Sequence, residues 1–181
     1  MAQFPTLGNA AGVWKLQDVY NNVMDGTWPN NGAVGLFGGG IEGAPGYVGT
    51  STISKLVFNT GGQATVFGDL ISPVKGLGSG TCSSLVRGIF SGGASWPAQV
   101  VQNVIQYVTF STEGNASDFG DIITSCQSLA NLSNSTRGIT AGGSAGAVYL
   151  NIIQYITIAS TGNATDFGDL LTAVMQQTLV I

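Results

Sequence analysis

The sequence has no histidine and very little charge: five Lys and Arg together, nine Asp and Glu, 8% of 181 residues. An ordinary soluble domain carries about 25% charged residues. Without His the chain lacks the commonest general base and the commonest metal ligand. Five scattered cations cannot form the basic patch that nucleic acid requires. No apolar run reaches the roughly 18 residues of a membrane helix, so no membrane partner is expected. The opening Met1-Ala-Gln-Phe-Pro5 has neither the basic nor the apolar region of a secretory signal. Cysteine is scarce too. Cys82 and Cys126 lack metal-site spacing and are expected to be reduced thiols acting as small hydrophobes, with an inter-repeat disulfide as the alternative.

What the sequence has in quantity is apolar side chains and glycine, 44% hydrophobic residues with 28 Gly, at a mean hydropathy of +0.30. That composition excludes a disordered chain. A chain of this length folds as one domain, burying about 70% of the surface its unfolded form exposes. Its surface polarity must come from Ser, Thr, Asn, Gln and Gly.

Internal repetition organises the chain. Asn151-Ile-Ile-Gln-Tyr-Ile-Thr-Ile158, followed by Thr161-Gly-Asn-Ala-Thr-Asp-Phe-Gly-Asp-Leu170, repeats a segment forty-eight positions earlier. That earlier copy is Asn103-Val-Ile-Gln-Tyr-Val-Thr-Phe110 with Glu113-Gly-Asn-Ala-Ser-Asp-Phe-Gly-Asp-Ile122. A weaker copy runs from Ser51 through Lys55 to Val66-Phe-Gly-Asp-Leu70. Glycine pairs precede the three copies at Gly39-Gly40, Gly92-Gly93 and Gly142-Gly143, and Arg87 and Arg137 open the strands that lead into the last two. Within each copy the apolar period is two, and β-branched and aromatic residues dominate, as in strands. Gly-Asn steps then supply turns, and Asp-Phe-Gly-Asp runs read as returning strands. Each repeat of about 50 residues is thus expected to be an antiparallel sheet of three or four strands, which needs its neighbours to bury its apolar face. The expected organisation is an N-terminal arm over 1–33 and a three-repeat β domain over 34–181. In the arm, Leu16, Val19, Tyr20 and Val23 follow the spacing of a short amphipathic helix.

The motifs that spell chemistry are expected to be architectural. Asp118-Phe-Gly and Asp166-Phe-Gly match the kinase metal-binding triplet, yet they recur with the repeat and no His-Arg-Asp loop exists. Asp118, Asp121, Asp166 and Asp169 are expected to accept turn N–H groups or to pair with Arg87 and Arg137, ahead of calcium ligation or catalysis, and the two arginines to be structural, pairing with repeat carboxylates or carbonyls. Asn115, Asn131, Asn134 and Asn163 head glycosylation-type triplets, taken as chance matches in so Asn- and Thr-rich a chain. The glycine pairs are expected to bend the backbone rather than to cradle phosphate.

A glycine doublet, a Tyr, a later aromatic and an Arg before the next doublet resemble kelch repeats, the blades of β-propellers. The resemblance is carried by Gly92, Gly93, Tyr107, Phe119 and Arg137, and by Gly142, Gly143, Tyr155 and Phe167, with Arg87, Asp121 and Asp169 as further structural positions of the repeats; the first repeat has Lys55 at the Tyr position. It implies an all-β, propeller-like domain of three kelch-like repeats with pseudo-threefold symmetry; a β-trefoil is the alternative. Phe119 and Phe167 are then expected to be equivalent core positions. The wording of the repeats, together with Gly12-Val-Trp14 and Thr27-Trp-Pro29, is similar to proteins of tailed-bacteriophage virions. That similarity implies a non-enzymatic, cofactor-free structural protein of the virion (capsid decoration, tail or fibre), partnered by copies of itself and by other virion proteins. The alternative is an adhesin that binds a host-surface carbohydrate or receptor, with Trp28 and Trp96 as contacts.

Overall fold

The computed structural model describes Gln17 and residues 34–43, 47–58, 62–80 and 82–175. Apart from Gln17, the N-terminal helix expected over Leu16 to Val23, and Trp28, lie outside this description. The first repeat contributes β1 (Val34–Gly38), β2 (Ile41–Glu42), β3 (Val48–Gly49), β4 (Thr52–Val57), β5 (Thr65–Asp69) and β6 (Val74–Lys75). The second contributes β7 (Ser79–Gly80), β8 (Arg87–Ser91), β9 (Ala94–Ser95), β10 (Val104–Thr109) and β11 (Ser117–Asp121). The third contributes β12 (Ala130–Ser133), β13 (Arg137–Ala141), β14 (Ser144–Ala145), β15 (Val148–Thr157) and β16 (Thr165–Val174). The fold is all-β, and each repeat builds its own antiparallel sheet. Strand order is β1-β4-β5 in the first, β8-β10-β11 in the second and β12-β13-β15-β16 in the third. The short β7 pairs in parallel with β12 and so ties the second repeat to the third.

Every sheet carries the same irregularity at the same place. The register of the long hairpin slips between Ile53 and Ser54, between Ile105 and Gln106, and between Ile153 and Gln154. Opposite each slip, Phe67, Phe119 or Phe167 is the extra residue of a β-bulge, so its ring is re-aimed away from the plain pleat. The glycine pairs are equally regular. The second Gly donates its N–H to a carbonyl some thirty residues downstream: Gly40 to Val74 at 2.8 Å, Gly93 to Cys126 at 2.9 Å, Gly143 to Val174 at 3.0 Å. Both members of each pair sit at positive φ, 63° and 98° at Gly92 and Gly93, where a Cβ would be strained. They are backbone bends, as expected.

The core lies between sheets, not within them. Ile53, Phe67, Leu70 and Val74 of the first repeat close over Val108 of the second. Ile89, Ile105, Phe119, Ile122 and Leu129 close over Ile156 and Ile158 of the third, with Cys82 and Cys126 in the same cluster. Phe67 and Phe119 are 5% and 3% exposed, whereas Phe167 is 54% exposed. The expected equivalence of Phe119 and Phe167 is therefore corrected. Each bulged Phe is covered by the sheet of the following repeat, and no described residue follows the third. Phe119→Ala is expected to cost about 3–5 kcal/mol, lowering Tm by at least about 6 °C for a chain of this size. Phe167→Ala should move Tm by no more than about 2 °C; equal shifts in thermal melts would contradict the layered core.

Both cysteines are buried, free thiols. Burial alone pushes Cys82 up to about 12 and Cys126 up to about 11, because a thiolate there would be desolvated. A thiol held neutral by the fold stabilises it fully below the unfolded thiol pKa, near 8.5. That contribution is lost as pH rises through the folded values. A thiol-reactive chromophore at pH 8 should leave both sites unmodified in the native protein and label both in denaturant. The alkaline loss of stability should be shallower in a Cys82→Ala/Cys126→Ala variant.

Candidate functional site: the seams between repeats

The arrangement with the most built polar structure is the seam where the turn of one repeat docks on the bulged strand of the repeat before it. At the first seam Gly114 N–H donates to the Phe67 carbonyl at 2.9 Å and Ala116 N–H to the Asp69 carbonyl at 2.8 Å. Asn115 Oδ1 accepts from Asp69 N–H at 3.0 Å, and Gln106 Oε1 accepts from Ile71 N–H at 2.9 Å. The second seam copies the first, bond for bond. Gly162 donates to Phe119 at 2.7 Å, Ala164 to Asp121 at 2.8 Å, Asp121 to Asn163 Oδ1 at 3.0 Å and Ile123 to Gln154 Oε1 at 2.8 Å. Gln106 and Gln154 are each 2% exposed, and each satisfies a backbone N–H just past the end of the bulged strand, beyond the ladder.

The close approach explains the glycine of Phe-Gly-Asp. A Cβ at Gly68 would overlap the Gly114 carbonyl, and one at Gly120 would overlap the Gly162 carbonyl. At Gly168, with the same local sequence, no described atom lies within 4 Å of that position.

Around the second and third bulges, arginine, tyrosine and phenylalanine form a stack. The Arg87 guanidinium lies 4.5 Å from the Tyr107 ring centre, and that of Arg137 lies 4.8 Å from Tyr155. Tyr107 and Tyr155 meet Phe119 and Phe167 edge-to-face, at 5.9 and 5.8 Å. Register produces this: Arg87 pairs with Thr109 and Arg137 with Thr157, which sets each Arg diagonally beside the Tyr on one face. The partners expected for the arginines, repeat carboxylates or carbonyls, are met at one carbonyl and, among the described residues, at no carboxylate. Among the described residues flat Tyr rings lie within reach and no carboxylate forms an ion pair, so the guanidinium stacks. Of the expected carbonyl contacts, Arg87 Nη1 makes one, to Ile158 O at 3.0 Å. In the first repeat Val34 and Lys55 stand at these positions, and Lys55 instead forms an ion pair with Glu113 of the next turn at 2.6 Å.

The remaining motif residues have local partners. Asp118 and Asp166 each accept the N–H of the Gly two residues on, at 3.2 Å. Asp121 enters the seam through its backbone, whereas Asp169 is exposed. The glycosylation-type asparagines are all engaged. Besides Asn115 and Asn163, Asn131 is buried against Ser91 Oγ at 3.2 Å, and Asn134 Oδ1 caps Thr136 and Arg137. Trp96 is half-buried at the boundary of the first two repeats. A Cβ on Gly49 would strike it, and the Lys75 ammonium sits 5.2 Å from its ring centre. An apolar cleft of about 510 Å³ opens between β1 and β8, lined by Val34, Leu36, Phe58, Ile89, Phe90 and Phe110 among others. Such a lining can hold apolar groups. Sequence reasoning missed Gln106, Gln154, Asn115 and Asn163 as seam residues; their recurrence at the repeat offset was the available signal.

Gly120→Ala and Gly168→Ala separate backbone strain from docking. Both residues sit at positive φ, 145° and 142°, so both variants carry about 1–3 kcal/mol of strain. Gly120→Ala should also lose two seam hydrogen bonds, each about 1 kcal/mol, and should be the less stable of the two in urea titration.

No family model matches the chain, and no curated protein matches it. Solved structures do. One described as "Structure of YjhT" superposes with a TM-score of 0.62 at 9% identity, covering 77% of this chain. The chain spans half the length of that protein, 50%. Likeness at this identity is one of fold: the chain is similar to that structure in its all-β architecture.

Proposed function

We propose that this chain is a non-enzymatic structural component of a tailed-bacteriophage virion, as a capsid-decorating, tail or fibre protein. The observation that carries the reading is where the polar side chains go. Those that spell chemistry in the sequence hold turns, bulges and seams instead: Asp118, Asp166, Arg87, Asn115 and Asn163. The similarity of the repeat wording to virion proteins supplies the class. On this reading the three sheets are kelch-like blades about a pseudo-threefold axis. Separate sheets, each with its own meander, favour that arrangement over a β-trefoil. The partners are further copies of the chain and other virion proteins, without cofactor, nucleic acid or membrane.

A second reading, a module that binds surface carbohydrate, draws on one observation. Tyr47 and Tyr149 stand 60% and 52% exposed in the hairpins that follow the glycine pairs, where aromatic faces are open to a ligand. Trp96, half-buried against the neighbouring repeat, suits a packing role better than a contact. Immunogold labelling of purified particles with an antibody to this chain tests the first reading, which expects labelling at one kind of site. Unlabelled particles, with glycan-array binding abolished by Tyr47→Ala/Tyr149→Ala, would replace it with the second.

A further inference from the structure

The third repeat ends in an edge that the rest of the molecule never leaves open. Phe67-Gly68-Asp69 and Phe119-Gly120-Asp121 are each covered by a Gly-Asn-Ala turn through the same bonds. Phe167-Gly168-Asp169 has the same sequence and the same bulge. Yet Phe167 is 54% exposed, and no described atom lies within 4 Å of a Cβ at Gly168. At the opposite end the first repeat presents the counterpart. Gly62, Gln63 and Ala64 align with Gly114, Asn115 and Ala116, and all three are exposed. Gly62 has φ 99°, against 101° at Gly114 and 155° at Gly162, so its backbone is in the same positive-φ region as the glycines of the turns that dock. Ala64 is solvent-exposed, whereas Ala116 and Ala164 pack against the two cores.

We infer that the first-repeat turn of one copy docks on the third-repeat edge of a second copy, extending between molecules the seam that joins repeats within one. Gly62 N–H would donate to the Phe167 carbonyl and Ala64 N–H to that of Asp169. The Gln63 amide oxygen would accept from Asp169 N–H in place of Asn. Ser54 stands where Gln106 and Gln154 stand in the later repeats, so the intermolecular seam lacks the fourth bond and is weaker than the internal ones. The contact joins two different surfaces, so copies add head to tail, closing into a ring or running on as a filament according to the rotation per copy. The inference deepens the self-association in the virion reading by naming its surfaces.

Ala64→Arg blocks the turn and Phe167→Glu blocks the edge, both at exposed positions that leave the internal seams intact. In sedimentation velocity over a range of concentrations, the wild-type chain should assemble and each variant alone should run as a single chain. Mixed, the two should form a one-to-one pair, because each retains the half-site the other lacks. A face-to-face contact between like surfaces would not be rescued by mixing. If a variant fails to fold, Gln63→Cys mixed with Asp169→Cys should give, under mild oxidation, a disulfide between unlike chains in preference to like ones. Wild-type monomer at every concentration, or assembly unchanged in both variants, would overturn the head-to-tail seam. Immunogold labelling of particles is read independently, so loss of this seam and loss of the virion assignment remain distinguishable.

Discussion

The structure depends on one approach distance: a carbonyl in the turn of the second and of the third repeat comes so near the bulged strand of the repeat before it that only glycine fits beneath it. The bulge re-aims a Phe, while the ladder resumes at the next residue, and the outward-facing N–H and C=O groups of this edge strand are left for the next repeat. Two backbone bonds and two side-chain amides then satisfy those groups, at distances that differ by no more than 0.2 Å between the two seams. The Phe closes the apolar side of the same joint. Hydrogen bonding and burial are therefore coupled. A repeat that docks satisfies its neighbour's backbone and covers its aromatic ring together, and one that does not dock leaves both in water.

This coupling accounts for how the fold manages with so few charges. Seam specificity comes from amides, glycines and rings, groups whose hydrogen bonds and packing are insensitive to salt. Lys55 and Glu113 form the single ion pair among the described residues, and it bridges the first seam from its rim. Exposed pairs of that kind contribute up to about 1 kcal/mol, so it trims the first joint and does not make it. Arg87 and Arg137 act through their flat faces on tyrosine. The stack they form stiffens the long hairpins next to the bulge, where a misplaced ring would spoil the seam. Stability is then largely a sum over neighbouring joints, and a terminal repeat lacks one of the joints that an internal repeat makes.

Much of this was legible in the sequence because the strand period, the glycine pairs and the forty-eight-residue offset are properties of residue order. Alternating β-branched and aromatic residues force strands, Gly-Asn steps force turns, and near-identical copies must fold alike. These facts determined the all-β class, the three-repeat organisation and the turn-binding role of Asp118 and Asp166. Tertiary structure decided the rest. Phe119 and Phe167 have the same neighbours along the chain, yet one is buried and the other exposed, because burial depends on the sheet that comes next. Arg87 and Arg137 stack on tyrosine because the strand register, which sequence does not display, sets them diagonally to a ring. Asn163 looks like a glycosylation acceptor in one dimension and proves to be a backbone acceptor in three, since its partner, Asp121, is forty-two residues away. A repeated sequence specifies its own sheets; which surfaces those sheets bury is fixed only by how the copies meet.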